Sequence, residues 1–335
     1  MSGQRVAVMG AGSWGTAFSL VLADAGNSVT LWGRRPELCA RLNETHQNAD
    51  YLPGIFLPDV VRADPDPARV LDGADTVVLA VPSQTLRSNL TAWAPLLPPD
   101  VPLVSLMKGV ELRTQLRMSQ VVAQVTGCSD DRLVVVSGPN LAGEIADRQP
   151  AASVVACTDE SVAVQFQQLC HTSMFRPYTI RDVIGCELAG ATKNVIALAV
   201  GMAVGLGFGD NARATVITRG LAETARLGSA MGADPQTFAG LAGLGDLVAT
   251  CMSKLSRNRG FGERLGRGES VAEIAGSTRQ VAEGVKSCES LLAMASDHGV
   301  DVPIIEHVVQ VARGEATPHD VLRSLISRAA KPERA

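Results

Sequence analysis

The sequence predicts an α/β protein in two parts. A doubly wound, mostly parallel sheet covered by helices is expected over residues 1–180. An all-helical domain is expected over 181–335. Three observations predict this. Short β-branched runs, often apolar throughout, alternate with helical patterns in the first half, as strands buried on both faces do. The Val-rich runs largely stop near Arg181, and long Ala/Leu/Gly-rich helical patterns follow. At 335 residues, with 46% hydrophobic and 19% charged, the chain has the length and composition for about two folded domains and is not a disordered one.

Strands are expected at 5–9, 28–32, 76–81, 103–107, 133–137, 153–157 and 175–179, with a first crossover helix at 16–25. In the second half, helices are expected at 186–204, 213–231, 235–251, 285–298 and 304–313. Asp234-Pro235 marks one of the starts, because proline suits the first helical position. The most apolar stretch, 195–209, falls short of the roughly 20 residues of a membrane span and reads as a buried core helix.

A net charge of −4 and 4% aromatic residues argue against a polyanion-binding surface and against stacking platforms for nucleic acid. Seven scattered cysteines without a Cys-x-x-Cys pair suit a reducing compartment rather than a disulfide framework or a zinc site. The N-terminus lacks the pattern of a signal peptide, so a cytoplasmic protein is expected.

Gly10-Ala11-Gly12-Ser13-Trp14-Gly15 follows the first strand and opens the first helix. That is the dinucleotide fingerprint of a Rossmann-like domain in its strand–turn–helix setting. Gly10 permits the tight turn, Gly12 admits the pyrophosphate, and Gly15 lets helix and strand pack. At the end of the second strand, where NAD-selective sites carry a carboxylate, the chain reads Gly33-Arg34-Arg35. Two guanidinium groups suit a 2′-phosphate, so NADPH is expected in preference to NADH. The alternative is a solvated pair of loop charges.

In the helix expected at 186–204 the only charges are Glu187 and Lys193. Desolvation there would lower the lysine pKa and make it a general base, with room for a ligand beside Gly190. It could equally snorkel to solvent. Lys108-Gly109 and the Ser137–Glu144 loop each follow a strand, at the carboxyl edge where open α/β sheets bind ligands, and each also reads as an ordinary strand-to-helix turn. Residues 254–260, Lys-Leu-Ser-Arg-Asn-Arg-Gly, gather donors suited to a phosphate, and alone would also read as a basic loop. Asp246 either faces that chemistry or caps a helix at Leu247.

These blocks, with Glu187–Asn194, Gly243-Leu-Gly-Asp246, Ser256–Gly260 and Val281–Gly284 in the same order, resemble the bacterial NAD(P)-dependent sn-glycerol-3-phosphate dehydrogenase family over nearly the whole chain. The resemblance implies reversible reduction of dihydroxyacetone phosphate to sn-glycerol 3-phosphate, feeding glycerophospholipid synthesis. It implies Lys193 as the acid/base at the C2 oxygen and Lys108 touching both substrate and cofactor. Gly138, Asp246, Ser256, Arg257 and Asn258 would line the substrate site. Ser13, Trp14, Arg34, Arg35, Ala142, Arg257, Val281 and Glu283 would contact the cofactor. Two departures are Asn140-Leu141, where the family has Ser/Thr-Phe, and Gly143-Glu144, where Lys-Glu is common; they leave the role of Asn140 open. Expected partners are the small-molecule substrate and the nucleotide, with no nucleic acid, no membrane insertion and no metal, and a homodimer left open. The alternatives are a 3-hydroxy acid or ketopantoate-type reductase, or a non-catalytic NADP(H)-binding protein.

Overall fold

A computed structural model describes residues 3–277 and 282–327. Its centre is an eight-stranded sheet in the order β3-β2-β1-β4-β5-β6-β7-β8. The strands are β1 (Arg5–Met9), β2 (Ser28–Trp32), β3 (Val61–Asp64), β4 (Thr76–Leu79), β5 (Leu103–Ser105), β6 (Leu133–Ser137), β7 (Ala151–Ala156) and β8 (Phe175–Ile180). All neighbours pair parallel except β6 and β7. The apolar runs of β4, β5 and β6 are buried at every residue, as both-face coverage by helices requires.

The sequence reading had no strand at 61–64. Val61-Arg62-Ala63-Asp64 alternates buried and partly exposed residues at the sheet edge, and its one valine gives little β signal beside Pro65 and Pro67. The order reverses between β1 and β4, where such sheets bind ligands. There the chain is tight: a Cβ on Gly10 would lie 2.5 Å from the Ala80 carbonyl oxygen, and Gly10 adopts φ +140°.

The helical half is organised around Val183–Gly205, whose 23 residues exceed the stretch read from sequence. By length and composition it could cross a membrane, but 83% of its most apolar window is buried inside this fold. Asp182 caps it, accepting from the Gly185 amide at 2.8 Å, and also accepts from the Thr237 hydroxyl at 2.6 Å. Cys186 buries with Val135, Val154, Ala156 and Ala242, which docks the helix on the sheet. Helix Arg257–Gly266 crosses it at backbone contact: a Cβ on Gly201 would lie 2.1 Å from the Arg259 carbonyl oxygen, and one on Gly262 2.1 Å from that of Leu198.

The single helix expected at 235–251 is three pieces. Pro235–Ala239 stops at Gly240, a π-helical turn follows at Leu241–Gly245, and an α-helix resumes at Asp246–Met252. The Gly245 amide reaches back five residues to the Gly240 carbonyl at 3.1 Å. Glycines at 240, 243 and 245 permit this break, and a Cβ on Gly243 would collide with the Phe238 backbone at 2.2 Å.

Candidate active site

The helix Ser13–Asp24 begins directly after the Gly10 turn, and its N-cap is Gly12, which brings no side chain to the free amides of the first turn. A Cβ on Gly12 would meet nothing within 4 Å, whereas one on Gly15 would lie 2.0 Å from the Gly10 carbonyl oxygen. Gly15 therefore serves packing and Gly12 faces open space. Ser13 donates to the Tyr51 carbonyl at 2.9 Å. Trp14 stacks edge-on against Phe18, and its buried indole N–H has no partner among the described residues. Ala142 opens the short helix Ala142–Ala146 and packs on the same core as Trp14.

Arg34 is exposed and has no ion pair among the described residues. Arg35 differs: it is half-buried, paired with Asp50 at 2.6 Å and set over the Tyr51 ring. The two arginines are thus not an equivalent pair. An open cradle at Gly12, uncapped amides and a free guanidinium at the end of β2 fit a dinucleotide phosphate backbone and a further phosphate.

The carboxyl ends of β5 and β6, the core helix and the helix Asp246–Met252 bring two lysines to one carboxylate. Lys108 Nζ lies 2.5 Å from Asp246 Oδ2 and 2.9 Å from the Gly138 carbonyl oxygen. Lys193 Nζ donates to Asp246 Oδ1 and, at 2.8 Å, to Thr250 Oγ1. Asp246 is 1% exposed and Lys193 8%. Burial, set against the attraction of Asp246 and aided by the charge of Lys108, brings the Lys193 pKa down to about 8. The snorkelling alternative for Lys193 does not hold, and Asp246 spends its carboxylate on the lysines rather than on a cap.

Gly190 is not room for a ligand. A Cβ there would lie 3.2 Å from Ser137 Oγ and 3.3 Å from Lys108 Cγ, so the space it leaves is filled by the lysine stem. Asn140 donates to Ser153 Oγ at 3.0 Å, and its buried Oδ1 has no partner among the described residues.

Ser256 caps helix Arg257–Gly266, accepting from the Arg259 amide at 3.2 Å, and its own hydroxyl hydrogen has no acceptor among the described residues. Arg257 is exposed. Asn258 is buried and donates to Asn194 Oδ1 at 2.9 Å while accepting from the Gly284 amide at 2.9 Å. Asn194 in turn donates to the Lys108 carbonyl at 3.4 Å. Glu283 accepts from Ser83 Oγ at 2.7 Å. Val281 lies outside the described residues.

The sequence reading missed Thr250, Asn194 and Ser83. Thr250 stands four residues after Asp246 on one helix, a spacing that puts the two side chains on one face and could have been read. Asn194 ends the Glu187–Asn194 block without a role of its own, and nothing local marks Ser83; their partners Asn258 and Glu283 lie 64 and 200 residues away.

A glycine-turn cradle at the sheet's switch point, in one fold with a buried lysine pair on a shared carboxylate, is the arrangement of a nicotinamide-nucleotide-dependent dehydrogenase. The comparisons narrow the class. A profile described as NAD-dependent glycerol-3-phosphate dehydrogenase N-terminus matches residues 5–163, and its C-terminal counterpart matches 182–323. The chain belongs to the NAD-dependent glycerol-3-phosphate dehydrogenase family.

It is 63% identical over 330 residues to a Streptomyces griseus protein named glycerol-3-phosphate dehydrogenase (NAD(P)+), covering 98% of both chains. It is 56% identical over 328 residues to a Mycobacterium tuberculosis protein named glycerol-3-phosphate dehydrogenase (NAD(P)+) 2, again covering 98% of both. The crystal structure of glycerol-3-phosphate dehydrogenase from Coxiella burnetii superposes with a TM-score of 0.93 at 35% identity, over 98% of this chain and 100% of that one.

Proposed function

We propose that this protein reduces dihydroxyacetone phosphate reversibly to sn-glycerol 3-phosphate, with NADPH preferred over NADH. The observation that carries the reading is the sharing of one buried carboxylate by Lys108 and Lys193 at the ligand-binding edge of the sheet. The nicotinamide nucleotide, when bound, supplies the hydride that adds to C2. Gly12, Ser13, Trp14 and Ala142 would hold it on the turn that Gly10 and Gly15 make possible, with Arg34 at the 2′-phosphate, and with Val281 and Glu283 as expected from the family pattern.

Protonated Lys193 gives its Nζ proton to the C2 oxygen as negative charge develops there, and in the oxidation direction neutral Lys193 takes the hydroxyl proton. Lys108 polarises the same oxygen from the other side of Asp246. Asp246 and Thr250 keep Lys193 aimed. Ser256, Arg257 and Asn258, with Gly138 opposite, bind the phosphate end, and that remote binding orients C2. Residues 1–180 are then the nucleotide-binding domain, which also lends Lys108 and Gly138 to the substrate, and 181–335 the substrate-binding and catalytic domain, which also lends Val281 and Glu283 to the nucleotide. Arg257, exposed beside buried Ser256 and Asn258, is assigned to both ligands as the family pattern implies.

The product of this chemistry suits the supply of glycerol phosphate for phospholipids, and a cytoplasmic setting is part of the same proposal. The ketopantoate-type alternative draws on a fold likeness only, a TM-score of 0.60 at 17% identity. The test is nicotinamide absorbance with dihydroxyacetone phosphate, ketopantoate and 3-hydroxy acids, each with NADPH and NADH. Turnover confined to the ketose phosphate supports the proposal. Turnover of ketopantoate alone refutes it.

A further inference from the structure

Lys108 and Lys193 reach Asp246 from different places, one on a loop after β5 and the other on the core helix, so something must fix that loop against that helix. Three residues of the core helix face the sheet half at the spacing of one helical stripe. Glu187 meets Arg117 and Ser119, Gly190 meets Ser137 and the Lys108 stem, and Asn194 meets the Lys108 carbonyl.

At the first of these points the contact is charged and dense. Glu187, 5% exposed, accepts from Arg117 Nη1 at 2.5 Å, from the Ser119 amide at 2.7 Å and from the Ser119 hydroxyl at 2.6 Å. Every one of these donors belongs to the segment that returns from Lys108. Arg117 bridges antiparallel to Val110, two residues after Lys108, and the Glu111 amide bonds the Leu116 carbonyl at 3.0 Å. The loop presenting Lys108 is therefore closed at its base, and that base is bolted to the core helix through Glu187.

We propose that Glu187, with Arg117 and Ser119, is a positioning site that sets the register of the Lys108 loop on the core helix and so fixes the two lysines about Asp246. The inference rests on the proposed roles of Lys193 and Lys108. A carboxylate so buried and so fully bonded holds its partners in one geometry, and removing its charge leaves Arg117 without its counter-ion.

The titratable groups facing Lys193 are Asp246 from its helix, Lys108 from its loop and the Cys251 thiol, which burial keeps protonated up to about 12. Glu187 itself faces Arg117, and its charge also acts on the thiol of the adjacent Cys186, which is buried against the sheet. When the Lys108 loop slips away, Lys193 loses a repelling cation and gains water. Both changes favour its ammonium form, so its titration moves upward.

The experiment compares pH profiles of glycerol 3-phosphate oxidation for wild type, Lys193→Met, Glu187→Gln and Arg117→Lys, with folding followed by circular dichroism and NADPH binding by fluorescence. Glu187→Gln is expected to lower kcat about tenfold to a hundredfold, the cost of misplacing a catalytic group by about an ångström. NADPH affinity should be little changed, and the rising limb should move to higher pH. Arg117→Lys, which keeps a cation but loses the guanidinium fork, should fall between. If Glu187→Gln does not fold, Arg117→Lys decides by the same readouts. A loss of kcat with an unmoved limb, or no loss at all, overturns the proposal. A limb that persists in Lys193→Met would instead overturn the role of Lys193 itself, whatever the Glu187 variant does.

Discussion

In the proposed reaction Lys193 is the residue on which the chemistry turns, and its environment explains why a lysine suits that role. An ammonium with an ordinary pKa would hold its proton too firmly to act as a base near neutrality. Burial in the core helix weakens that hold, while Asp246 keeps the group from becoming neutral altogether. The lone cation in Leu-Ala-Gly-Ala-Thr-Lys-Asn was legible as a candidate because burial could be read from its apolar neighbours. What was not legible was Thr250 and the sharing of Asp246 with Lys108, since a contact across 138 residues leaves no local pattern.

The same scale separates Arg34 from Arg35, which the sequence presents as equals. Arg34→Ala should raise the KM for NADPH about tenfold or more, the worth of one charge-assisted hydrogen bond, and leave that for NADH nearly unchanged. Arg35→Ala should discriminate less, because its guanidinium is committed to Asp50. Equal losses for the two nucleotides in Arg34→Ala would remove it from the 2′-phosphate. Arg257→Ala should weaken dihydroxyacetone phosphate strongly and unphosphorylated dihydroxyacetone little, read as the ratio of kcat/KM values. A parallel loss would give Arg257 another task.

At the scale of elements, glycine decides the site's architecture twice. Gly201 and Gly205 on one helix, and Gly262 and Gly266 on the other, bring backbones into contact, so the helix starting at Ser256 begins beside the one carrying Lys193 and Asn194. Gly262→Ala would set a methyl 2.1 Å from the Leu198 carbonyl oxygen, which cannot yield without moving the helix. Overpacking of this kind costs about 1–3 kcal/mol, and urea denaturation should show that loss. An unchanged midpoint would mean that the helices can separate freely.

The second case is the π-helical turn before Asp246. Its extra residue per turn rotates the following helix so that Asp246 and Thr250 face Lys193 while Leu244 and Val248 stay exposed. The sequence reading ran one helix through this region because an apolar, helix-compatible pattern continues across Gly240. Glycine tolerated in a helix and glycine breaking one look alike until the backbone contacts at Phe238 are known.

Over the whole molecule, the strand order reverses between β1 and β4, and the core helix packs on the sheet through Cys186 against Val135, Val154 and Ala156. The parallel sheet and the change to helices near residue 181 were legible, because strands buried on both faces and a Gly/Ala-rich core helix each leave an unmistakable composition. The edge strand β3 was not, since an exposed edge carries few of the apolar residues that betray a strand.

The helical half also contains a buried acid outside the site. Glu223 accepts from the amides of Ile304 and Ile305 at the start of helix Pro303–Arg313, and burial lifts its pKa to about 7 from an ordinary 4.5. Between those values the native state holds a proton that the unfolded state has released, so stability at this site is full below about 4.5 and falls as pH rises through 7. Glu223→Gln, which keeps an acceptor for the amides, should flatten that part of the stability profile. A slope unchanged in the variant would assign it to other groups.

The central claim, that Lys193 moves the proton while the bound nucleotide moves the hydride, is tested most directly by the pH dependence of kcat for glycerol 3-phosphate oxidation in wild type and Lys193→Met. Oxidation needs the neutral amine, so the wild-type rate should rise with loss of one proton near pH 8. The variant should lose both that limb and about 10²–10⁴-fold in kcat, with NADPH binding intact. A Lys193→Met enzyme with near-normal kcat and an unchanged limb would contradict the account and make Lys108 the leading base.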